Sequence, residues 1–276
     1  MARKDVPGVR RGSTMAEAAD SRGRITLEIE DGIARIAIDR PAHLNALNNA
    51  LRAELAGAVE CAAAASETRV IVLRGAGERA FVAGADIEEL IDLDEAGSVA
   101  LSDRIADFHD RLAALPVPVI AGIRGWCLGG GLELALAADI RLASENARFG
   151  LPEIKLGILP GGGGITRLKR LAPGAAHICL TGEIILAERA LATGLVSEVC
   201  SEEAFEARLD ALARELAGFS APALAAMKAA LRVSPALDVG EATRREGRIG
   251  APLYGTPGQR TAMADFLEAR ARRRKS

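Results

Sequence analysis

Short apolar runs alternate with longer segments of helical periodicity over the first 200 residues, and this alternation constrains the fold more than any other feature. The runs at 70–73, 117–123 and 140–143 are largely apolar and of strand length, as expected of buried strands. Segments such as 48–64, which precedes the first of these runs, carry apolar residues at helical spacing. This order of strands and helices predicts α/β architecture.

The two ends of the chain depart from this pattern. Residues 1–21 mix Arg, Gly, Ser and Ala without periodicity, so we predict a disordered N-terminal extension, in which Met15 is an alternative start to Met1. Two strands, at 25–30 and 33–38, are predicted around Asp31-Gly32, a dipeptide that favours a hairpin turn. We expect an α/β core at 22–200, then a helical region at 201–276 that covers the pocket or makes subunit contacts. Its predicted helices are at 202–216, 222–231, 239–249 and 261–272.

The charge balance argues against nucleic acid as a partner. The 276 residues include 35 basic and 37 acidic side chains, which create no long-range field for a polyanion. The basic cluster at 270–275 is interpreted as a solvated helix end. No apolar run reaches the roughly 20 residues of a membrane span, and no secretory signal is visible. We therefore expect a cytoplasmic protein that does not bind membranes.

Cysteines and histidines give no sign of a metal site. No C-x-x-C pair occurs, and no histidine lies at ligand spacing from a cysteine. The cysteines are interpreted as reduced thiols in the core: Cys61, Cys127, Cys179 and Cys200. The histidines are interpreted as surface or loop residues: His43, His109 and His177.

Several common catalytic motifs are missing from the sequence. It contains no G-K-[ST] phosphate loop, no G-x-S-x-G elbow and no H-E-x-x-H pair. Gly75-Ala76-Gly77 follows a predicted strand, but the third glycine of a dinucleotide-binding fingerprint is not in place. Phosphoryl transfer, serine-ester, zinc and dinucleotide chemistry are therefore disfavoured.

Two glycine-bearing stretches each follow a predicted strand and lead toward a helix. They read F-V-A-G-A-D-I at 81–87 and W-C-L-G-G-G-L-E-L at 126–134. Glycine lets a backbone approach a ligand closely, and the first N–H groups of a helix have no internal partner. Such donors, at the positive end of a helix dipole, favour an anion.

Two glutamates lie in apolar sequence surroundings. Glu153 belongs to the stretch L-P-E-I-K-L-G-I-L-P at 151–160, and Glu133 lies among three leucines. Burial in such surroundings raises the pKa of a carboxyl group. A glutamate that exchanges a proton near neutral pH is suited to general acid–base catalysis.

Four motifs, in this order, resemble the enoyl-CoA hydratase/isomerase (crotonase) superfamily. They are R-P-x-x-L-N-A-L at 40–47, A-G-A-D at 83–86, the glycine triplet with Glu133, and the stretch from Pro152-Glu153 to Pro160-Gly161. The resemblance runs from Arg24 to Arg272. It implies a crotonase-like spiral of repeated ββα units with a helical C-terminal region, assembled as homotrimers or as hexamers of two trimers. Superfamily members catalyse different reactions, so fold follows more directly than function.

The resemblance also implies a role for individual residues. The amide N–H groups of Ala85 and Gly130 would form an oxyanion hole for the thioester carbonyl. Glu153 would exchange a proton at the α carbon, and Glu133 would activate water. The coenzyme A portion would lie against Ala42, Leu44, Ala83, Asp86, Ile87, Gly129 and Phe266.

This pair of glutamates predicts an enoyl-CoA hydratase, a hydro-lyase of fatty-acid metabolism that converts a 2-enoyl-CoA to the 3-hydroxyacyl-CoA. No metal or redox cofactor is expected, because coenzyme A arrives with the substrate. The alternatives are an isomerase or another acyl-CoA enzyme of the superfamily, or a catalytically silent protein that binds CoA or RNA. Glu88 and Ala269 stand where relatives often have basic residues, which leaves Arg270 or Arg24 for the phosphates.

Overall fold

Six strands form the main sheet of the protein, seen here in a computed structural model that describes residues 22–233 and 236–274. The predicted extension at 1–21 lies outside the described residues. The strands of the whole fold are β1 Arg24–Glu30, β2 Ile33–Asp39, β3 Val70–Gly75, β4 Ala80–Val82, β5 Val119–Ile123, β6 Trp126–Leu128, β7 Ile140–Ser144, β8 Arg148–Gly150, β9 Ile185–Leu186 and β10 Glu198–Cys200. The main sheet has the order β1-β2-β3-β5-β7-β10. Only β1 and β2 are antiparallel neighbours there.

A second, smaller sheet has the order β4-β6-β8-β9. Strands β4 and β6 run parallel, with Ala80 opposite Trp126, and β6 is parallel to β8. These strands have two or three residues each. Sequence analysis did not predict them, because two or three residues are too few to show a period.

The predicted N-terminal hairpin is confirmed. Glu30 pairs with Ile33 across the turn, and both intervening residues have positive φ, +52° for Asp31 and +78° for Gly32. Two such residues form the tight turn whose twist matches antiparallel strands.

Eleven helices were found within the described residues. They are α1 Asn49–Ala64, α2 Ile87–Leu90, α3 Glu95–Ala114, α4 Gly130–Ala137, α5 Gly164–Leu171, α6 Ala175–Thr181, α7 Ala187–Ala192, α8 Phe205–Ala217, α9 Ala221–Val233, α10 Val239–Gly250 and α11 Pro257–Arg273. Side-chain caps fix several starts, as Asn48 accepts a hydrogen bond from the Leu51 N–H at α1. Every described element after β10 is helical.

Apolar side chains cover both faces of the main sheet. Ile71 and Leu73 of β3 pack into the larger core with α1 and α4. Val70 and Val72 point to the other face, where Phe205 of α8 covers them. Burial on both faces explains why this strand is a continuous apolar run.

The interpretation of the cysteines as core thiols was right for Cys127, which is buried, and wrong for Cys61, which is exposed; Cys179 and Cys200 are half-buried. All four are free thiols. Cys61 lies in the last turn of α1, on a helix that buries one face and exposes the other. Its apolar neighbours in sequence therefore did not imply burial.

Among the residues described, no single helix is long and apolar enough to cross a membrane. Helices α8 and α9, which bend by 103° at their junction, reach that length and composition only as a pair.

Candidate active site

A cavity of about 1360 Å³ lies between α1, α3 and the start of α4. Residues 83–85, Ile87 and parts of the segment 152–161 complete its wall. Several residues between Leu90 and Arg111, most of them on α3, also line the cavity. Helices α8 to α11 contribute no described residue to the wall of the cavity within this single chain.

Glycine allows α4 to begin against β4, directly at the cavity. A Cβ on Gly131 would lie 2.1 Å from the carbonyl oxygen of Val82, so any side chain there would push the helix away. The preceding Gly129 has φ +52° and donates its N–H to the Gly150 carbonyl oxygen at 3.0 Å. The first turn of α4 is thus fixed with its N–H groups facing the cavity.

Two backbone amides at this point have no hydrogen-bond partner within 22–233 and 236–274. Leu47 donates to the Gly84 carbonyl and accepts from the Asp86 N–H, which leaves the Ala85 N–H directed away from that bridge. The Gly130 N–H is the first of α4 and has no partner inside the helix. A Cβ on Gly130 would lie 3.7 Å from the Ala85 nitrogen. The two amides are therefore neighbours on the cavity wall.

Glu133 is held firmly on the same wall. Its side chain is 3% exposed, and its Oε1 accepts hydrogen bonds from the Gly162 N–H at 2.7 Å and the Gly164 N–H at 2.9 Å. Burial raises the pKa of Glu133, an effect that these two hydrogen bonds partly offset. Both bonds end on Oε1, so Oε2 has no partner among the described side chains and amides.

The loop that holds Glu133 is itself fixed by two side chains. The Gly162 carbonyl oxygen accepts hydrogen bonds from His109 Nδ1 at 2.9 Å and from Arg167 Nη1 at 2.9 Å. The interpretation of His109 as a surface or loop residue was wrong, because it lies in α3 and is 3% exposed. Burial lowers the pKa of His109 to about 4, so the neutral ring donates through Nδ1 to a carbonyl that can only accept.

Glu153 faces the cavity from a different setting. It lies in the 3-10 turn Pro152–Leu156, and its buried Oε2 has no hydrogen-bond partner in the described chain. Burial raises the pKa of Glu153 to about 7, and the negative charge of Glu133 adds to the effect. A Cβ on Gly129 would lie 2.7 Å from its Oε1. The carboxyl group therefore lies directly beside the turn that begins α4.

Comparison with known proteins shows the family to which the chain belongs. Residues 28–272 match the sequence profile of a family described as enoyl-CoA hydratase/isomerase. The chain belongs to this family. The predicted superfamily and the crotonase-like α/β fold are thereby confirmed.

Relatives and solved structures of this hydratase/isomerase family resemble the chain over most of its length. It is 41% identical to the 2,3-dehydroadipyl-CoA hydratase of Escherichia coli, over 85% of this chain and 92% of that protein. It is 36% identical to the short-chain-enoyl-CoA hydratase of Clostridium acetobutylicum, over 89% and 95%. The crystal structure of an enoyl-CoA hydratase from Bacillus anthracis has a TM-score of 0.85 and 32% identity, over 89% of this chain and 96% of that one.

Of the residues to which the family resemblance assigned a role, seven line the cavity: Ala83, Ala85, Ile87, Gly129, Gly130, Glu133 and Glu153. Four do not line it in this single chain: Ala42, Leu44, Asp86 and Phe266. Phe266 is 67% exposed on α11. The Asp86 carboxylate instead accepts a hydrogen bond from Arg40 Nη1 at 2.7 Å, and this ion pair ties the 40–47 motif to the start of α2.

Neither arginine suggested for the phosphates lies on the wall of the cavity. Arg24 pairs with Asp39 at 2.8 Å, and Arg270 lies on the exposed face of α11. Their contacts to coenzyme A therefore stay predictions. No group of three or more His, Cys, Asp and Glu side chains in the described ranges is arranged to hold a metal ion.

Proposed function

We propose that this family member is an enoyl-CoA hydratase, which adds water across the 2,3 double bond of a 2-enoyl-CoA to give the 3-hydroxyacyl-CoA. The observation that carries the proposal is a pair of carboxyl groups, the buried Glu133 and the half-buried Glu153, on one cavity wall beside two unpartnered amides. The hydratase names of the E. coli and C. acetobutylicum relatives support it.

The amides of Ala85 and Gly130 are proposed to bind the thioester carbonyl oxygen. As water adds at C3, negative charge moves onto that oxygen, and two fixed N–H donors stabilise it without reorganisation. A donor of this kind contributes about 2.7–4 kcal/mol to the transition state. Side chains at both positions need only be small, because the backbone supplies the donors.

The two carboxyl groups are proposed to divide the proton transfers. Ionised Glu133 takes a proton from water as the water oxygen bonds to C3, and protonated Glu153 gives a proton to C2. Water is thus added in full, and the carboxyl groups return to their starting states by exchange with solvent. The raised pKa of Glu153, about 7, keeps a protonated fraction available at neutral pH. Coenzyme A takes part as a portion of the substrate, and the scheme calls on no other cofactor.

Hydration of crotonyl-CoA tests the proposal directly. The purified chain should remove the absorbance of the conjugated thioester, and Glu133→Gln or Glu153→Gln should each lower kcat by about 10²- to 10⁴-fold. Glu188→Gln, at an exposed position of α7, is the matched control and should keep full activity. No absorbance loss at high enzyme concentration would contradict hydration. An isomerase that relies on Glu153 alone would instead keep most of its rate in Glu133→Gln.

The chain is further proposed to assemble as homotrimers or pairs of trimers. Large apolar side chains lie exposed along the late helices, more than a solvated helix surface usually carries: Met227, Leu231, Val239, Tyr254, Met263, Phe266 and Leu267. Light scattering should give three or six times the chain mass of 28.8 kDa. A monomer at micromolar concentration would contradict this assembly.

A cytoplasmic location is also proposed. The four free thiols support it, because a reducing compartment keeps cysteines unpaired. Fractionation of the source cells tests it, and recovery in a membrane or secreted fraction would contradict it.

A further inference from the structure

We propose that the acyl end of the cavity binds a carboxylate through Arg52, so that preferred substrates are 2-enoyl-CoA thioesters whose acyl chain itself ends in a carboxylate. This inference rests on the proposed hydratase function and adds to it the class of acyl group. It starts from a cation in an unexpected place, on the wall of an otherwise largely apolar cavity.

Arg52 is half-buried, and most of its hydrogen-bonding capacity is unused. It projects from α1 into the cavity and is 16% exposed. Its Nη1 makes two long contacts, to Asn49 Oδ1 at 3.3 Å and to Glu89 Oε2 at 3.5 Å. Nε and Nη2 have no protein partner in the part of the chain that the structure describes. Two adjacent donors of a planar guanidinium match the two oxygens of one carboxylate.

The neighbouring acidic groups do not neutralise this site fully. Glu89 Oε2 also accepts the Asn49 N–H at 2.7 Å, a shorter bond than its contact with Arg52. Asp86 acts on Arg52 at longer range, but its carboxylate bonds Arg40. Burial lowers the pKa of the Arg52 guanidinium, which is the expected response of a cation that is partly stripped of water and weakly paired.

A second cation lies at the same end of the cavity. Arg104 of α3 lines the wall, and its charge acts on Arg52. Arg104 makes no hydrogen bond or ion pair with the described residues. Two arginines that repel each other are stabilised when an anion binds between or beside them.

The position of Arg52 favours the acyl chain over the phosphates of coenzyme A as the source of that anion. Arg52 and Glu133 act on each other electrostatically, and Glu133 is the proposed partner of the water that attacks C3. The pantetheine arm separates the thioester from the nearest phosphate by a longer chain than a short acyl group. A carboxylate a few carbons beyond C3 is therefore the anion that reaches Arg52 while the thioester occupies the amides of Ala85 and Gly130.

A matched pair of substrates tests the inference. The probes are 2-hexenoyl-CoA and 2-hexenedioyl-CoA, which have the same carbon chain and differ in the terminal carboxylate. The wild-type chain should have a kcat/KM at least about tenfold higher for the dioyl substrate, and Arg52→Met should lower the dioyl-to-monoyl ratio about 100-fold. Arg104→Met should lower the ratio less, by about three- to tenfold, because the side chain is exposed. Arg189→Met, at a position of α7 that is paired with Glu183 and does not line the cavity, should leave the ratio unchanged.

Pantetheine thioesters of the same two acyl groups separate the two sources of anion. They lack the nucleotide and its phosphates, so a ratio that still depends on Arg52 supports an acyl carboxylate. The inference would be overturned in favour of the phosphates if Arg52→Met lowered kcat/KM for both CoA thioesters by the same factor and left kcat/KM for the pantetheine thioesters unchanged. If Arg52→Met does not fold by circular dichroism, Arg52→Lys keeps the charge without the planar fork and should lower the ratio by about tenfold.

Failure of the inference and failure of the proposed function give different results. Hydration of both probes at equal kcat/KM would overturn the carboxylate site and leave the hydratase proposal in place. No hydration of any enoyl thioester would overturn the hydratase proposal itself.

Discussion

The two carboxyl groups on the cavity wall occupy opposite settings. Glu133 lies on a buried helix, with Oε1 bonded to two backbone amides of the 161–164 loop. Glu153 lies on a short 3-10 turn, with a buried Oε2 that bonds nothing in the described chain. The difference teaches that one acid helps to hold the cavity together, whereas the other costs stability at the position proposed for proton exchange.

Removal of the Glu133 side chain should have the largest effect on stability. Glu133→Ala leaves the buried N–H groups of Gly162 and Gly164 without a partner, at about 1–3 kcal/mol each, so the unfolding free energy should fall by about 2–6 kcal/mol. Urea denaturation at pH 7 measures it. Glu133→Gln, whose amide oxygen can still accept both bonds, is the control and should recover most of the loss. An unchanged urea midpoint in Glu133→Ala would show that Glu133 does not stabilise the cavity and would contradict the contrast with Glu153.

Removal of the Glu153 charge should stabilise the protein instead. The folded pKa of about 7 lies above the ordinary 4.5, so the folded state binds the proton more tightly and wild-type stability is lost as pH rises from 4.5 through 7. A shift of this size corresponds to at most about 3 kcal/mol. Glu153→Gln should therefore be more stable than the wild type at pH 8 and about equal to it near pH 4.5. Melting temperatures at both pH values check this, and a less stable variant at pH 8 would contradict it.

The pH dependence of the rate tests whether Glu153 acts as the acid. Because the protonated form is required, kcat/KM for crotonyl-CoA should be half-maximal near pH 7 and then fall about tenfold per pH unit. The two carboxyl groups interact, so this midpoint belongs to the pair. Steady-state rates from pH 5 to 9 measure it. A rate that stays constant up to pH 9 would exclude Glu153 as the proton donor.

The smallest effect on stability is expected at His109, which supports Glu133 indirectly, through Gly162. His109→Phe removes one of two hydrogen bonds to the Gly162 carbonyl, and since Arg167 keeps the other, the cost should be about 1 kcal/mol at pH 8. The folded pKa of about 4 lies below the ordinary 6.5, so in the wild type His109 makes stability fall as pH drops from 6.5 toward 4. His109→Phe should lose that part of the acid sensitivity. Denaturation at pH 8 and pH 5 measures both differences.

Sequence patterns predicted five of the six strands of the main sheet, because these strands are five to seven residues long. The sixth strand, β10, was not predicted, because it has only three residues and none of them is fully buried. The 70–73 run is buried on both faces. The dipeptide Asp31-Gly32 indicates a turn because both residue types tolerate positive φ. Strands β4 and β6 carry no such signal, since each is three residues long and lies beside a loop. Their positions depend on contacts between the two sheets, which periodicity does not contain.

Prediction of the site was limited in the same way. Motifs indicated Glu133 and Glu153, and the structure places both on one cavity. The four glycines at 161–164 indicated only a loop, so the hydrogen bonds that Gly162 and Gly164 donate to Glu133 could not be predicted. Arg52 is one of three charged residues in helix α1, with Glu54 and Glu60, and its spacing resembles that of a solvated side chain. Its position on the cavity wall depends on how α1 packs against its neighbours.

The missing Cβ at Gly129 links two parts of the site that are far apart in sequence. Position 129 shapes the backbone that presents the Gly130 amide, and the space a methyl group would fill there already contains the Glu153 carboxyl. A substitution at 129 therefore disturbs both the amide proposed to bind the carbonyl and the carboxyl group proposed to donate the proton. Laboratory evolution toward new acyl groups should leave this position fixed and diversify α1 and α3, where the wall can change without moving the reacting atoms.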